Sequence, residues 1–212
     1  MQPHPRPHRD QENGFTLVEF LIATLIMSLV LGSAVALATQ IQQAYGTQLD
    51  DAVAQQEARY ALDWIARDLR SAGSDPYFVI PGDQEVWIDP NGGADDDDSI
   101  RIDADAFPNG PDGDNADAGE TITIALDPDT NTITRRDHNA GELVGVAMTE
   151  PVFTDLSFTW LDTDKNETAD PKTVSYVRVE VTARSTARNQ FAASEDGFTT
   201  SVLSTEVRLR TR

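Results

Sequence analysis

One stretch governs what this chain can become: Gly14 to Ala38, which reads GFTLVEFLIATLIMSLVLGSAVALA. After Gly14 come 24 residues with a single ionisable side chain, Glu19. A helix of that length runs ~36 Å at about 1.5 Å per residue, enough to cross a bilayer core of about 30 Å with some tilt. A carboxylate deep in such a span costs on the order of 2.5–3.5 kcal/mol. A compensating partner for Glu19 is therefore expected.

Without the span, roughly 140–170 residues remain, a size that suits one globular domain. Formal charge is −20, from 36 acidic and 16 basic residues. Such a surface repels phosphates, which argues against a nucleic-acid partner. It suits a solvated exterior or cation binding. The chain has no cysteine, so disulfides and thiolate metal sites are excluded. His4, His8 and His138 are too few and too scattered for a His-rich metal or catalytic centre. No Gly-rich phosphate loop follows a strand, and neither Gly-x-Ser-x-Gly nor His-Glu-x-x-His occurs. An enzyme is not expected.

Residues 1–14, MQPHPRPHRDQENG, are polar, and Pro3, Pro5 and Pro7 oppose helix. A secretory signal would place its small-residue cleavage site after the apolar run. Here the order is inverted, so cleavage at Gly14 would leave the apolar helix on the mature chain. Gly14-Phe15-Thr16-Leu17-Val18-Glu19 resembles the type IV prepilin processing motif shared by pilins and type II secretion pseudopilins. The resemblance implies cleavage between Gly14 and Phe15 by a membrane prepilin peptidase, with N-methylation of the new Phe15 amine. Glu19 then becomes the fifth mature residue, as the family pattern requires. One departure is the leader, where Arg6 and Arg9 are balanced by Asp10 and Glu12 although family leaders are usually basic. In a bundle of such helices, a neighbour's Phe15 ammonium can pair with Glu19 in a low-dielectric core. Breaking a buried pair from one side costs about 3–5 kcal/mol, so Glu19 can set assembly register.

Thr24, Ser28, Gly32 and Ala36 recur every fourth residue, a small-residue stripe of the kind that permits close helix approach in lipid. Many major pilins carry proline where this chain has Ala36, and its absence points to a straighter helix and a minor subunit. Further on, Ala58, Leu62, Ile65, Leu69 and Ala72 recur at helical spacing, with Arg59, Asp63, Arg67 and Arg70 opposite. The pattern predicts one helix from about Phe15 to Ser71, with Gly73 as its stop. The run from Glu57 to Gly73, ending Arg67-Asp68-Leu69-Arg70-Ser-Ala-Gly73, resembles PilW-type minor pilins, and less completely the J-type pseudopilins. Arg59, Arg67 and Arg70 read either as a solvated helix face or as a docking face for an acidic neighbour.

Beyond Pro76 come short alternating runs between turn residues. Strands are predicted at Val86–Ile88, Ser99–Ile102, Thr121–Ile124, Thr132–Thr134, Phe153–Leu161, Val174–Arg184 and Thr199–Arg210, the last closing the sheet. The fold class is α+β, a long N-terminal helix packed on an antiparallel β-sheet head, which is also the pilin fold that the resemblance implies. The expected divisions are leader 1–14, assembly helix 15–38, soluble helix half 39–73 and acidic head 74–212.

Three head loops are acidic: Asp95–Asp98, Asp112–Asp117 and Asp162–Asp170. In the third, Asp162, Asp164, Asn166 and Asp170 stand at relative positions 1, 3, 5 and 9, as calcium ligands do. Glu167 replaces the usual glycine at position 6, and Thr173 the glutamate at position 12. These residues are the calcium candidates, and the plain alternative is a solvated turn. His138 reads as part of a solvated turn.

The sequence reading is thus a minor pilin that takes part in initiating and assembling a type IV pilus and sits at its tip. The resemblance implies other minor and major pilins, the prepilin peptidase and an inner-membrane assembly platform as partners. It also implies an inner-membrane location with a periplasmic head before transfer to the fibre. The alternatives are a J-type pseudopilin of a type II secretion system and a calcium-dependent adhesive pilin head.

Overall fold

The structure is a computed structural model that describes residues 15–75, 77, 80, 86–88, 98–105, 112–170, 172–188 and 196–209. Its first element is α1, Leu17–Ser71, 55 residues in one uninterrupted helix, ~82 Å at about 1.5 Å per residue. No proline falls within it, and Gly46 is its only glycine after Gly32. The helix ends at Gly73, whose φ of 69° lies in the left-handed region that a side chain resists. Ala72 N–H turns back to the Leu69 carbonyl and Ser74 N–H to that of Ser71, closing the last turn.

Among the described residues eight strands follow: β1 Val86–Ile88, β2 Ser99–Asp103, β3 Thr121–Asp127, β4 Thr132–Asp137, β5 Val146–Ala147, β6 Phe153–Leu161, β7 Tyr176–Arg184 and β8 Thr200–Arg208. All seven predicted runs are strands, with ends shifted by a few residues. The short β5 carried no sequence signal. All pairings are antiparallel, and the arrangement is α+β, consistent with the type IV pilin fold.

The strands do not close one sheet. They form two, β1-β2-β3-β4-β5 and β6-β7-β8. The β4–β5 ladder ends at Ala147, and Pro151, which has no N–H to offer a ladder, lies in the β5–β6 connection. The β3–β4 register sets Ile124 opposite Arg135 and Ile122 opposite Asp137. The inward face of the first sheet is therefore isoleucine-rich in its centre and charged along β4. β7 alternates as read, with Val177, Val179, Val181 and Ala183 buried. Phe158 pairs Val179 and Leu156 pairs Val181 on the same face.

The chain divides into two compact units, residues 1–46 and 47–212. In the first, every described side chain from Phe15 to Thr39 is exposed. In the second, Ala54, Ala58, Ala61, Leu62, Ile65 and Leu69 of α1 join one core with the buried residues of both sheets. Three of those six are alanines, so the helix backbone can approach the strands closely. The larger residues each contribute ~1.5–3 kcal/mol on full burial.

Candidate functional site

Gly14 lies outside the described residues, as does Pro76. Phe15 is described and exposed. Just after it the helix begins with a reciprocal cap. Thr16 N–H and Thr16 Oγ1 each donate to Glu19 Oε2 at 3.0 Å, and Glu19 N–H donates to Thr16 Oγ1 at 3.3 Å. Thr16 precedes the first helical residue, Leu17, by one position and Glu19 by three. This is the capping-box spacing, in which side chains satisfy the first orphan N–H groups of a helix. The Thr-x-x-Glu signal was present in the sequence and went unread there, because the processing motif overlies it. Both donors converge on Oε2. Among the described residues, Oε1 accepts no hydrogen bond.

The stripe along the span is satisfied within its own helix. Thr24 Oγ1 donates to the Leu21 carbonyl at 3.0 Å and Ser28 Oγ to that of Leu25 at 2.8 Å. A Cβ added at Gly32 would meet nothing within 4 Å. The chain's own packing therefore does not require glycine there, and the free space faces outward. By length and composition, α1 is the one helix among the described residues that could cross a membrane.

At the other end of α1, Asp68 is half-buried and meets the sheet. Arg135 Nε donates to Asp68 Oδ2 at 3.2 Å, and Arg135 Nη1 lies 4.0 Å from Asp137 Oδ2. Burial pushes the Asp68 carboxyl above its ordinary range, against the pull of Arg135. The Arg-Asp-Leu-Arg run thus splits by role. Asp68 docks the helix on β4, Leu69 enters the core, and Arg67 and Arg70 stay exposed. Arg67 makes a loose contact with Asp63 at 3.7 Å, between two largely exposed side chains. Such pairs contribute little. Sequence spacing could not have supplied Arg135, which lies 67 residues from Asp68.

Of the acidic loops, Asp95–Asp97 lies outside the described residues. In the second, Asp112 and Gly113 N–H donate to the buried Asp105 carboxylate at 3.1 and 3.3 Å. Asp117 N–H donates to Glu120 Oε2 at 2.9 Å. Glu120 is buried, and its carboxyl is pushed up by burial and by the neighbouring Asp117, Asp105 and Asp112.

In the third loop the structure brings Asp162 and Asn166 together. Asp162 Oδ1 accepts N–H bonds from Asp164 at 2.8 Å and Asn166 at 2.9 Å, and these bonds hold its carboxyl below the usual range. Lys165, with φ of 65°, crosses to Glu206 Oε2 at 2.7 Å. Asp170 serves a separate turn, accepting Lys172 N–H at 3.0 Å. Among the described residues, no three or more His, Cys, Asp or Glu side chains gather as a metal group.

His138 is half-buried rather than solvated. Its Nε2 lies 2.8 Å from Thr123 Oγ1, and burial, Arg136 and Arg101 lower its pKa. The antiparallel register carries its backbone onto Thr121 of the adjacent strand, which folds the ring against the sheet.

The family model described as the prokaryotic N-terminal methylation motif matches residues 9–35. That match brackets Gly14, Phe15, Thr16 and Glu19, and it supports a type IV prepilin-like chain, of the pilin or pseudopilin kind. No curated protein and no solved structure is matched by the chain. A chain with this motif is in general processed by a prepilin peptidase, anchored by its apolar helix and assembled with pilin partners. Such proteins are structural subunits and not typically enzymes.

Proposed function

We propose that the chain is a minor pilin that helps to initiate a type IV pilus and stays near its tip. The observation that carries the assembly role is the start of α1. Thr16 holds one oxygen of Glu19, and among the described residues the other accepts no hydrogen bond. Self-capping lowers the penalty of holding the carboxylate in lipid. The open oxygen suits a neighbouring subunit's Phe15 ammonium in the fibre core, where a charge-assisted bond is strong. Cleavage after Gly14 would create that ammonium.

The minor-subunit reading rests on the exposed Arg67 and Arg70 beside a docked Asp68, and on the unbroken helix through Ala36. The head would stand in the periplasm while the helix waits in the inner membrane, and the assembly platform would then extract it. Gly14→Ala is expected to abolish processing, read as the intact mass of the membrane-bound chain. A mature N-terminus other than Phe15 would remove the basis of the proposal. Glu19→Ala is expected to insert normally and be lost from purified fibres, while normal incorporation would refute the register role. Deleting the gene separates the two machines. Loss of surface fibres supports the pilus, whereas loss of protein secretion with fibres intact supports the J-type pseudopilin.

A further inference from the structure

One three-residue pattern in the head serves neither the core nor the assembly helix. Asn166-Glu167-Thr168 is the single Asn-x-Thr or Asn-x-Ser run in the sequence, and its middle residue is not proline. That is the acceptor pattern for N-linked sugars, whose attachment needs an asparagine amide and a hydroxyl two residues on, both within reach of an enzyme. So short a pattern also arises by chance, and its place in the fold decides whether it can serve.

The pattern lies in the connection between β6 and β7, where residues 163–167 are exposed in an unbroken run. Lys165, with φ of 65°, turns the chain back. Leu161 then bridges to Glu167, and Thr168 N–H donates to the Trp160 carbonyl at 3.1 Å. The run 166–168 is thus held extended along the outer edge of β6, where residues two apart fall on the same side. The loop is held mainly through its backbone, with Asn166 N–H donating to Asp162 Oδ1 and Asp162 N–H to the Asn166 carbonyl, both at 2.9 Å. The Asn166 side chain is held much less, since its Nδ2 reaches Asp162 Oδ2 only at 3.4 Å. Asn139, by contrast, spends its amide on the carbonyls of Asn115 and Asp117 at 2.8 and 3.0 Å. The Thr168 hydroxyl meets Thr173 Oγ1 at 2.9 Å and accepts Asp170 N–H at 3.2 Å, both at exposed positions. Exposed bonds of this kind exchange with water or with an enzyme's groups at little net cost.

We propose that Asn166 carries an N-linked glycan, an inference that rests on the exported head of the proposed function. The donor is an oligosaccharide linked to a lipid diphosphate on the outer side of the inner membrane. The bond from the sugar C1 to the diphosphate oxygen breaks, and C1 bonds to Asn166 Nδ2. The amide gives up one proton to a base of the transferase, and the lipid diphosphate leaves. Nothing is oxidised or reduced. The loop's backbone bonds need not change, so a folded head can accept the sugar.

The test is peptide mass spectrometry on the full chain, purified from the membranes of the cells that make it. The peptide that contains Asn166 is expected to be heavier by an oligosaccharide. That added mass should be lost entirely in Asn166→Gln and in Thr168→Ala, and kept in Thr168→Ser, which retains the hydroxyl. An unmodified Asn166 overturns the inference, as does a glycan that survives Thr168→Ala. The N-terminus of the same sample is read separately. A chain that begins at Phe15 with Asn166 bare strikes this inference alone, whereas a chain that keeps residues 1–14 strikes the proposed function.

Discussion

The two halves of α1 share a backbone and differ in what their sequences ask of a partner. Residues 17–38 are apolar around nearly the whole circumference, and every one of their side chains is exposed. Leu25 is 67% exposed. Residues 54–69 carry apolar side chains on one stripe only, and Leu69 is 0% exposed. An all-round apolar helix requires an apolar medium outside the chain, whereas a striped one is completed by its own sheet. Polar atoms follow the same division. In the first half, Thr24 and Ser28 are satisfied by carbonyls three residues earlier in the same helix, and Glu19 by Thr16. In the second, Asp68 finds Arg135 across the fold.

The largest expected difference between the halves is in head stability. Leu69→Ala leaves a cavity in a closed core and should cost about 2–5 kcal/mol, lowering the midpoint of chemical denaturation. Leu25→Ala should leave that midpoint unchanged. A comparable loss from Leu25→Ala would break the comparison.

Next comes the polar anchor. Asp68→Ala removes a hydrogen bond to a charged group and should cost about 1.5–3 kcal/mol, with part of that softened by solvent at the half-buried pair. Arg67→Ala, one position earlier and exposed, should fall within about 0.5 kcal/mol of the parent. If the two variants melt together, Asp68 does not dock the helix.

A smaller effect sharpens the account of the acidic loops. Asp162→Ala frees two backbone N–H groups and should lower the denaturation midpoint only slightly, equally with and without added calcium. A loss that appears only with calcium would assign the loop to the cation instead.

The smallest effect is one of pH. Glu120 has a folded-state pKa raised above its ordinary value of 4.5, so the folded state favours the protonated form. That contribution to stability is full below about 4.5 and is lost as pH rises through the folded value. Glu120→Gln should therefore melt above the parent at neutral pH, and the gap should close on acidification. His138 works in the opposite sense. Its lowered pKa contributes stability above the ordinary value of 6.5, and that is lost as pH falls through the folded one. His138→Gln controls for it.

Much of this was legible from residue order alone, because the relevant periods are short. The stripe Ala58, Leu62, Ile65, Leu69, Ala72 needed only the helical repeat, and β7 only the alternation of Val177, Val179, Val181 and Ala183. Gly73 could be read as a stop because few other residues accept its φ. The His138 environment was misread because the cover over its ring comes from a neighbouring strand. β5 escaped notice because two residues are too few to show a period.

The sequence by itself determined the processing motif, the span, the striped helix half and the strand set, since each is written in neighbours a few residues apart. The tertiary structure decided the rest. It split the strands into two sheets, chose Arg135 as the partner of Asp68, and set Arg178 and Lys165 against Glu206. Such pairings join residues tens of positions apart, and only the register and packing of the folded chain bring them within reach. The Thr16–Glu19 cap lies between the two cases: its spacing is local, but only the geometry showed that both Thr16 donors meet one carboxylate oxygen.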